Sequence, residues 1–168
     1  MAKKVLFAGE SWMAVQTETK GFNSFSAAKY ETGLGWIDKA IEKAGYELTY
    51  MPNHIANDSF PFTIEELQEY DCIVLSDIGA DTLPIPSETF SSGKMFPNRC
   101  QLLKEYVLQG GALLMFGGYM TFNGIGGQGK WWEHQYRMYF RYRFFRMMTE
   151  WNIVKGLSRK QFWQIIRF

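Results

Sequence analysis

Apolar positions along the chain fall into short runs separated by polar stretches. Val5-Leu6-Phe7-Ala8-Gly9 begins almost at the N-terminus and reads as a buried strand. Leu34, Ile37, Ala40, Ile41 and Ala44 recur at i, i+3 and i+4. That period predicts a helix over residues 34–44, ended by Gly45 at the C′ position. Tyr46 to Met51 alternates as a strand, and Pro52 stops it. Thr63, with Glu66 three residues later, is a capping box opening a short helix. Cys72-Ile73-Val74-Leu75-Ser76 is an unbroken apolar run of the kind buried on both faces of a sheet. Asn98 opens a helix carrying Leu102, Leu103, Tyr106 and Val107, closed by Gly110-Gly111. Ala112-Leu113-Leu114-Met115-Phe116 is a fourth strand, ending in Gly117-Gly118. Two polar stretches, Glu10 to Gly33 and Asp77 to Pro97, lack a clear period and read as long loops, which in compact domains tend to be functional.

Strand–helix alternation specifies a parallel sheet with helices on its faces, because right-handed crossovers bury the strands. The expected class is α/β, a three-layer flavodoxin-like parallel sheet. Ligands in such sheets bind outside the carboxyl ends of the strands, where the strand order switches. Three segments land there, and they nominate Glu10, Ser11, Trp12, Asp77, Gly79, Gly117, Gly118 and Tyr119 as ligand-binding residues. The expected ligand is a small polar molecule. No cofactor and no metal is indicated.

Composition changes this picture in one place. The 168 residues are 46% hydrophobic and 21% charged, near the globular norm. The net charge of +1 averages two unlike regions. Residues 1–133 hold 10 Lys+Arg against 16 Asp+Glu, a balance of −6, with Arg99 their one arginine. Residues 134–168 hold 8 Lys+Arg against Glu150 alone, a balance of +7, with six arginines and 10 aromatics. No apolar run approaches the ~18–20 residues of a membrane span. The N-terminal run is too short for a signal peptide, so a reduced, cytoplasmic protein is expected.

Few motifs carry chemistry. Gly124-Ile125-Gly126-Gly127-Gln128-Gly129 satisfies GxGxxG, but Gly117 to Asn123 separates it from the strand, and no clean helix follows. A surface loop is the expectation. Gly117-Gly118-Tyr119 occupies the place of a nucleophile elbow without Ser or Cys. Its plainer reading is a glycine turn that lets a loop pass close to the sheet. Cys72 and Cys100 read as core thiols, and His54 as a surface histidine. Glu10 and Asp77 each follow a strand, where acids either do acid–base work as a pair or hold turns.

Lys4-Val5-Leu6-Phe7-Ala8-Gly9-Glu10-Ser11-Trp12, Lys20-Gly21-Phe22-Asn23-Ser24-Phe25, Leu75-Ser76-Asp77-Ile78-Gly79-Ala80, Pro97-Asn98-Arg99 and Gly117-Gly118-Tyr119-Met120-Thr121-Phe122 occur in an order that resembles a bacterial class I glutamine amidotransferase-like family. The resemblance covers residues 3–133. It implies a flavodoxin-like fold with a ligand site at the strand ends, and hydrolysis or acyl transfer as the class if the intact relative is an enzyme. Glutaminase chemistry is not implied, because the family's GxCxG elbow has no cysteine here and no His-Glu pair follows.

Beyond residue 133 the resemblance stops, and the genetic code offers a reason. Read one frame on, the codons of Met147 to Ile153 force Asp-Asp, permit Arg or Gly, permit Met or Val, force Glu and permit His or Tyr. The family carries an Asp-Asp-Arg-Met-Glu-His-like string in this region. The expected organisation is therefore a partial amidotransferase-like domain over residues 1–133, followed by an out-of-frame tail over residues 134–168. The alternative is an authentic tail, whose interleaved arginines and aromatics would bind nucleic acid or an anionic membrane. A homo-oligomer is compatible with either.

Overall fold

A computed structural model of the chain describes residues 3–131. The out-of-frame reading and the polyanion-binding alternative both concern the tail, outside the described residues. The sheet is built from β1 (Lys4–Gly9), β4 (Glu47–Met51), β5 (Cys72–Ser76) and β6 (Ala112–Phe116), in the order β4-β1-β5-β6. Every pairing is parallel, with Val5 opposite Leu48 and Cys72, and Cys72 opposite Ala112. The chain runs outward from β1 to β4, then returns across β1 to β5 and β6, so the switch in order lies between β1 and β5.

One face of the sheet carries Leu6, Ala8, Ile73 and Leu75, buried beneath Ala56, Phe60, Leu67, Leu103 and Tyr106. Those residues come from α2 (Asn53–Ser59) with Phe60 just after it, α3 (Ile64–Gln68) and α5 (Arg99–Leu108). The other face carries Val5, Phe7 and Val74, covered by Leu34, Ile37 and Ile41 from a 3-10 turn (Leu34–Trp36) and α1 (Ile37–Lys43). Burial of each such aliphatic side chain is worth about 1.5–3 kcal/mol, so β1, buried from Val5 to Gly9, anchors the sheet. The three-layer α/β class expected from the pattern is the class observed.

Several local expectations also hold. Thr63 accepts from the Glu66 amide while the Glu66 carboxylate accepts from the Thr63 amide, a complete capping box. Asn98 Oδ1 accepts from the amides of Cys100 and Gln101 and caps α5. Gly45 follows α1 with φ +81°, the left-handed conformation that ends helices.

Both supposed long loops need correction. Residues 11–32 form an antiparallel hairpin, β2 (Ser11–Lys20) and β3 (Asn23–Thr32), joined through Gly21 at φ +62°. A Gly-X pair with positive φ on the glycine alone is the pattern of a type II′ turn, which matches strand twist. Charges and hydroxyls stand where a half-buried strand would show apolar residues, and so the period was hidden. The stretch 77–97 contains a 3-10 turn (Ala80–Thr82) and α4 (Ser87–Ser92). The predicted helix over 34–44 is split into the 3-10 turn and the shorter α1.

Helix α2 has no apolar period and is rich in Asn, Asp and Ser, poor helix formers. Tertiary contacts hold it. Arg99 is fully buried and donates to the carbonyls of Ala56, Asn57 and Phe60 at the carboxyl end of α2, and to those of Thr82 and Leu83. Its guanidinium also lies 4.6 Å from the Phe62 ring centre. A cation at a helix C-terminus both satisfies orphan carbonyls and complements the dipole. Burial pushes the Arg99 pKa down to about 10, against the opposing pull of Cys100 and Asp58.

Candidate functional site at the strand ends

Glu10 and Asp77 are the residues immediately after β1 and β5, the two strands that flank the switch point. Both have left-handed backbone, φ +50° and +45°. Non-glycine residues seldom adopt it, and two in matching places mark a shaped edge. Gly9 makes the turn possible. It has φ +111°, and a Cβ there would lie 1.8 Å from the Ser76 carbonyl oxygen. The Glu10 amide then donates to that same oxygen at 2.7 Å, stitching the two strand ends together.

The two carboxylates have separate partners. Glu10 accepts from the Ser76 hydroxyl and leans on Gly33, where a Cβ would come within 2.5 Å of its Oε1. Asp77 Oδ1 accepts from the Met120 amide at 2.6 Å, and a Cβ on Gly118 would meet it at the same 2.6 Å. The Asp77 amide donates to Thr121 Oγ1 at 2.8 Å. Each acid therefore holds a turn.

Asn53, which pattern reading missed, clamps the edge. Its Nδ2 donates to the carbonyls of Ser11 at 2.7 Å and Asp77 at 3.1 Å, and its amide donates to Ser11 Oγ at 2.8 Å. Ser11 is buried by this contact. Tyr50 was missed as well. Its hydroxyl donates to the carbonyls of Gly9 at 3.2 Å and Glu10 at 3.3 Å, and burial foremost pushes its pKa up to about 12. The one sequence signal for Asn53 was its position after Pro52, which stands at the N-cap of α2.

The remaining nominated residues divide by exposure. Gly79 is buried, with Met120 against it. Trp12 is partly exposed on the hairpin, and Gly117, Gly118 and Tyr119 are exposed. None of those last three has a positive φ, so the turn after β6 is not a strained elbow. It is the glycine turn that lets the loop press on Asp77. The GxGxxG string sits at no strand-to-helix junction. It wraps back on itself, with Gly129 donating to the Asn123 carbonyl and accepting from the Ala80 amide. A Cβ on Gly129 would stand 2.7 Å from two carbonyl oxygens, so its glycines serve close backbone approach.

The thiols offer no activated nucleophile. Cys100 is buried and donates toward the Ala80 carbonyl, while burial, with Asp71 second, raises the Cys72 pKa. His54 is exposed, its ring edge-on to Tyr30 at 5.3 Å. Among the described residues no helix is long and apolar enough to cross a membrane.

Comparison with known proteins adds family context. A family described as "Putative glutamine amidotransferase" matches residues 4–138. Two solved structures resemble the chain. The cytoplasmic protein STM3548 from Salmonella typhimurium is 45% identical, with TM-score 0.73, over 76% of this chain and 52% of its own. The cytoplasmic protein STM1381 from Salmonella typhimurium LT2 is 40% identical, with TM-score 0.76, over 80% of this chain and 55% of its own. The chain thus spans about half the length of each solved relative. No curated protein matches.

Proposed function

Because the chain belongs to the glutamine amidotransferase-like family, we propose that it binds a small polar molecule at the carboxyl edge of β1 and β5. One observation carries this reading: the paired left-handed residues Glu10 and Asp77 at the ends of the two strands flanking the switch point. Strain of this kind persists where the surroundings over-determine it, as the Gly9, Asn53 and Thr121 contacts do here. Glutamine hydrolysis through a cysteine elbow is outside the reading, since Tyr119 follows β6 and both thiols lie elsewhere. As in the two relatives, the cytoplasm is the compartment we infer.

The test is amide chemical-shift mapping with L-glutamine, L-glutamate and ammonium as probes. Shifts confined to residues 9–12, 77–80 and 117–120 support the reading. Shifts elsewhere, or none with any probe, overturn it. Glutaminase activity that persists with Cys72 and Cys100 both changed to Ser would contradict the elbow assignment separately. Residues from about 134 onward we take as translated out of frame, an inference the coding DNA decides directly.

A further inference from the structure

The two ends of α2 have different surroundings. Its first residue, Asn53, clamps the strand-end turns, whereas its last turn borders a cavity of about 560 Å³ shared with α4. That volume is in the range of small-molecule sites. The cavity shares no lining residue with the strand-end turns.

Its apolar wall is made by Phe62, Phe96 and Pro86. The two rings lie 5.1 Å apart, their planes tilted by 34°. Each ring already has a cation against it. The Arg99 guanidinium is 4.6 Å from the Phe62 centre, and Lys94 Nζ is 4.8 Å from the Phe96 centre. Ring faces of this kind favour positive charge.

The polar rim is acidic, with Asp58 and Glu88 set against the ammonium of Lys94. Asp58 Oδ1 accepts from the Ser87 amide at 2.7 Å, and Glu88 Oε2 accepts from Lys94 Nζ at 2.9 Å. The second oxygen of each carboxylate accepts no hydrogen bond among the described residues. The walls are fixed before anything binds, which lowers the ordering cost of a ligand. Ser87 Oγ donates to Asn57 Oδ1 at 3.1 Å, and Asn57 Nδ2 donates to the Thr82 and Ile85 carbonyls at 2.9 Å each. Gly93, at φ +68°, turns the chain back after α4, and Thr89 Oγ1 donates to the Lys94 carbonyl at 3.0 Å to hold that return.

We propose that this cavity binds an organic cation, a protonated amine with an apolar body, the body against Phe62, Phe96 and Pro86 and the ammonium donating to Asp58 and Glu88. An anion of the same shape would face two carboxylates, and a neutral molecule would gain the apolar contact alone.

Amide chemical-shift titration of the full chain tests it, with 2-phenylethylamine, 2-phenylethanol and 3-phenylpropionate up to about 10 mM as cationic, neutral and anionic probes of similar shape. The amine is expected to shift residues 57–62 and 86–96 with a dissociation constant on the order of 1 mM, about tenfold tighter than the other two. Asp58→Asn, which keeps an acceptor for the Ser87 amide, and Glu88→Gln should each weaken the amine about fivefold. Glu42→Gln makes the same charge change on α1, across the sheet, and should leave binding unchanged. All three positions are exposed, and circular dichroism confirms that each variant is folded. An amine that leaves the cavity residues unshifted overturns the proposal, as does an alcohol or acid that binds as tightly. So does binding that D58N and E42Q weaken equally, which is general attraction to an acidic chain, or that neither D58N nor E88Q weakens.

Discussion

Two strands that follow one another in the chain, separated by Glu10 alone, are made in opposite ways. β1 has six residues, five of them buried, and every neighbour that matters comes from far along the sequence. β2 has ten residues, one of them buried, and its backbone partner is the strand that directly follows it. Hydrophobic burial holds the first. Cross-strand pairs, a Gly21 turn and local ion pairs hold the second, each worth a fraction of a kcal/mol. A strand's existence therefore says little about what a substitution in it costs.

That contrast sets the size of each expected effect. The largest is at the junction: Gly9→Ala drives a Cβ into the Ser76 carbonyl, and should cost about 4 kcal/mol or more in urea unfolding. Arg99→Met comes next. It strands the carbonyls that hold α2, a loss on the order of 3–5 kcal/mol, and the protection of residues 53–60 from hydrogen exchange should fall most. Leu6→Ala, in the fully buried centre of β1, should cost about 3 kcal/mol, measured as a lower denaturation midpoint with the slope unchanged.

A smaller effect is visible in alkali. The Tyr50 hydroxyl keeps its proton longer in the folded chain than in the unfolded one, where the pKa is 10.0. The folded state then binds more protons between pH 10 and about 12, so this contribution is present below pH 10 and is lost as pH rises through 12. Thermal melts over that range should show a shallower decline for Tyr50→Phe than for the native chain. Least of all is Val15→Ala on the hairpin, expected within about 0.5 kcal/mol. A larger loss there would break the contrast between core and arm.

Where burial drives an element, the sequence made it legible. β1 and β5 are contiguous apolar runs with most of their residues buried, β6 is an apolar run whose residues stay exposed or half-buried, and Thr63-Glu66 and Asn98 announce their helices by side-chain chemistry that acts within one turn. Legibility failed where the cause is distant or hidden. Helix α2 depends on Arg99, some forty residues on, and nothing in Asn53 to Ser59 predicts a helix. The hairpin has no apolar alternation because neither face is packed on the core. At the candidate site, Glu10 and Asp77 could be placed by counting from the strands, and the switch point followed from strand order. Their partners could not, since Asn53, Ser76, Met120 and Thr121 meet them only through tertiary geometry.

The 3.0 Å bond from the Gly33 amide to the Glu10 carbonyl brings the hairpin's exit back to its entrance. Topologically the arm is a cassette: the chain leaves the body and re-enters it at one point. Its length is thus free to drift without moving β1, α1 or the strand-end turns. Shortening it from the tip, by removing Thr17 to Ser26 and closing with a new two-residue turn, should leave the body's melting temperature nearly unchanged.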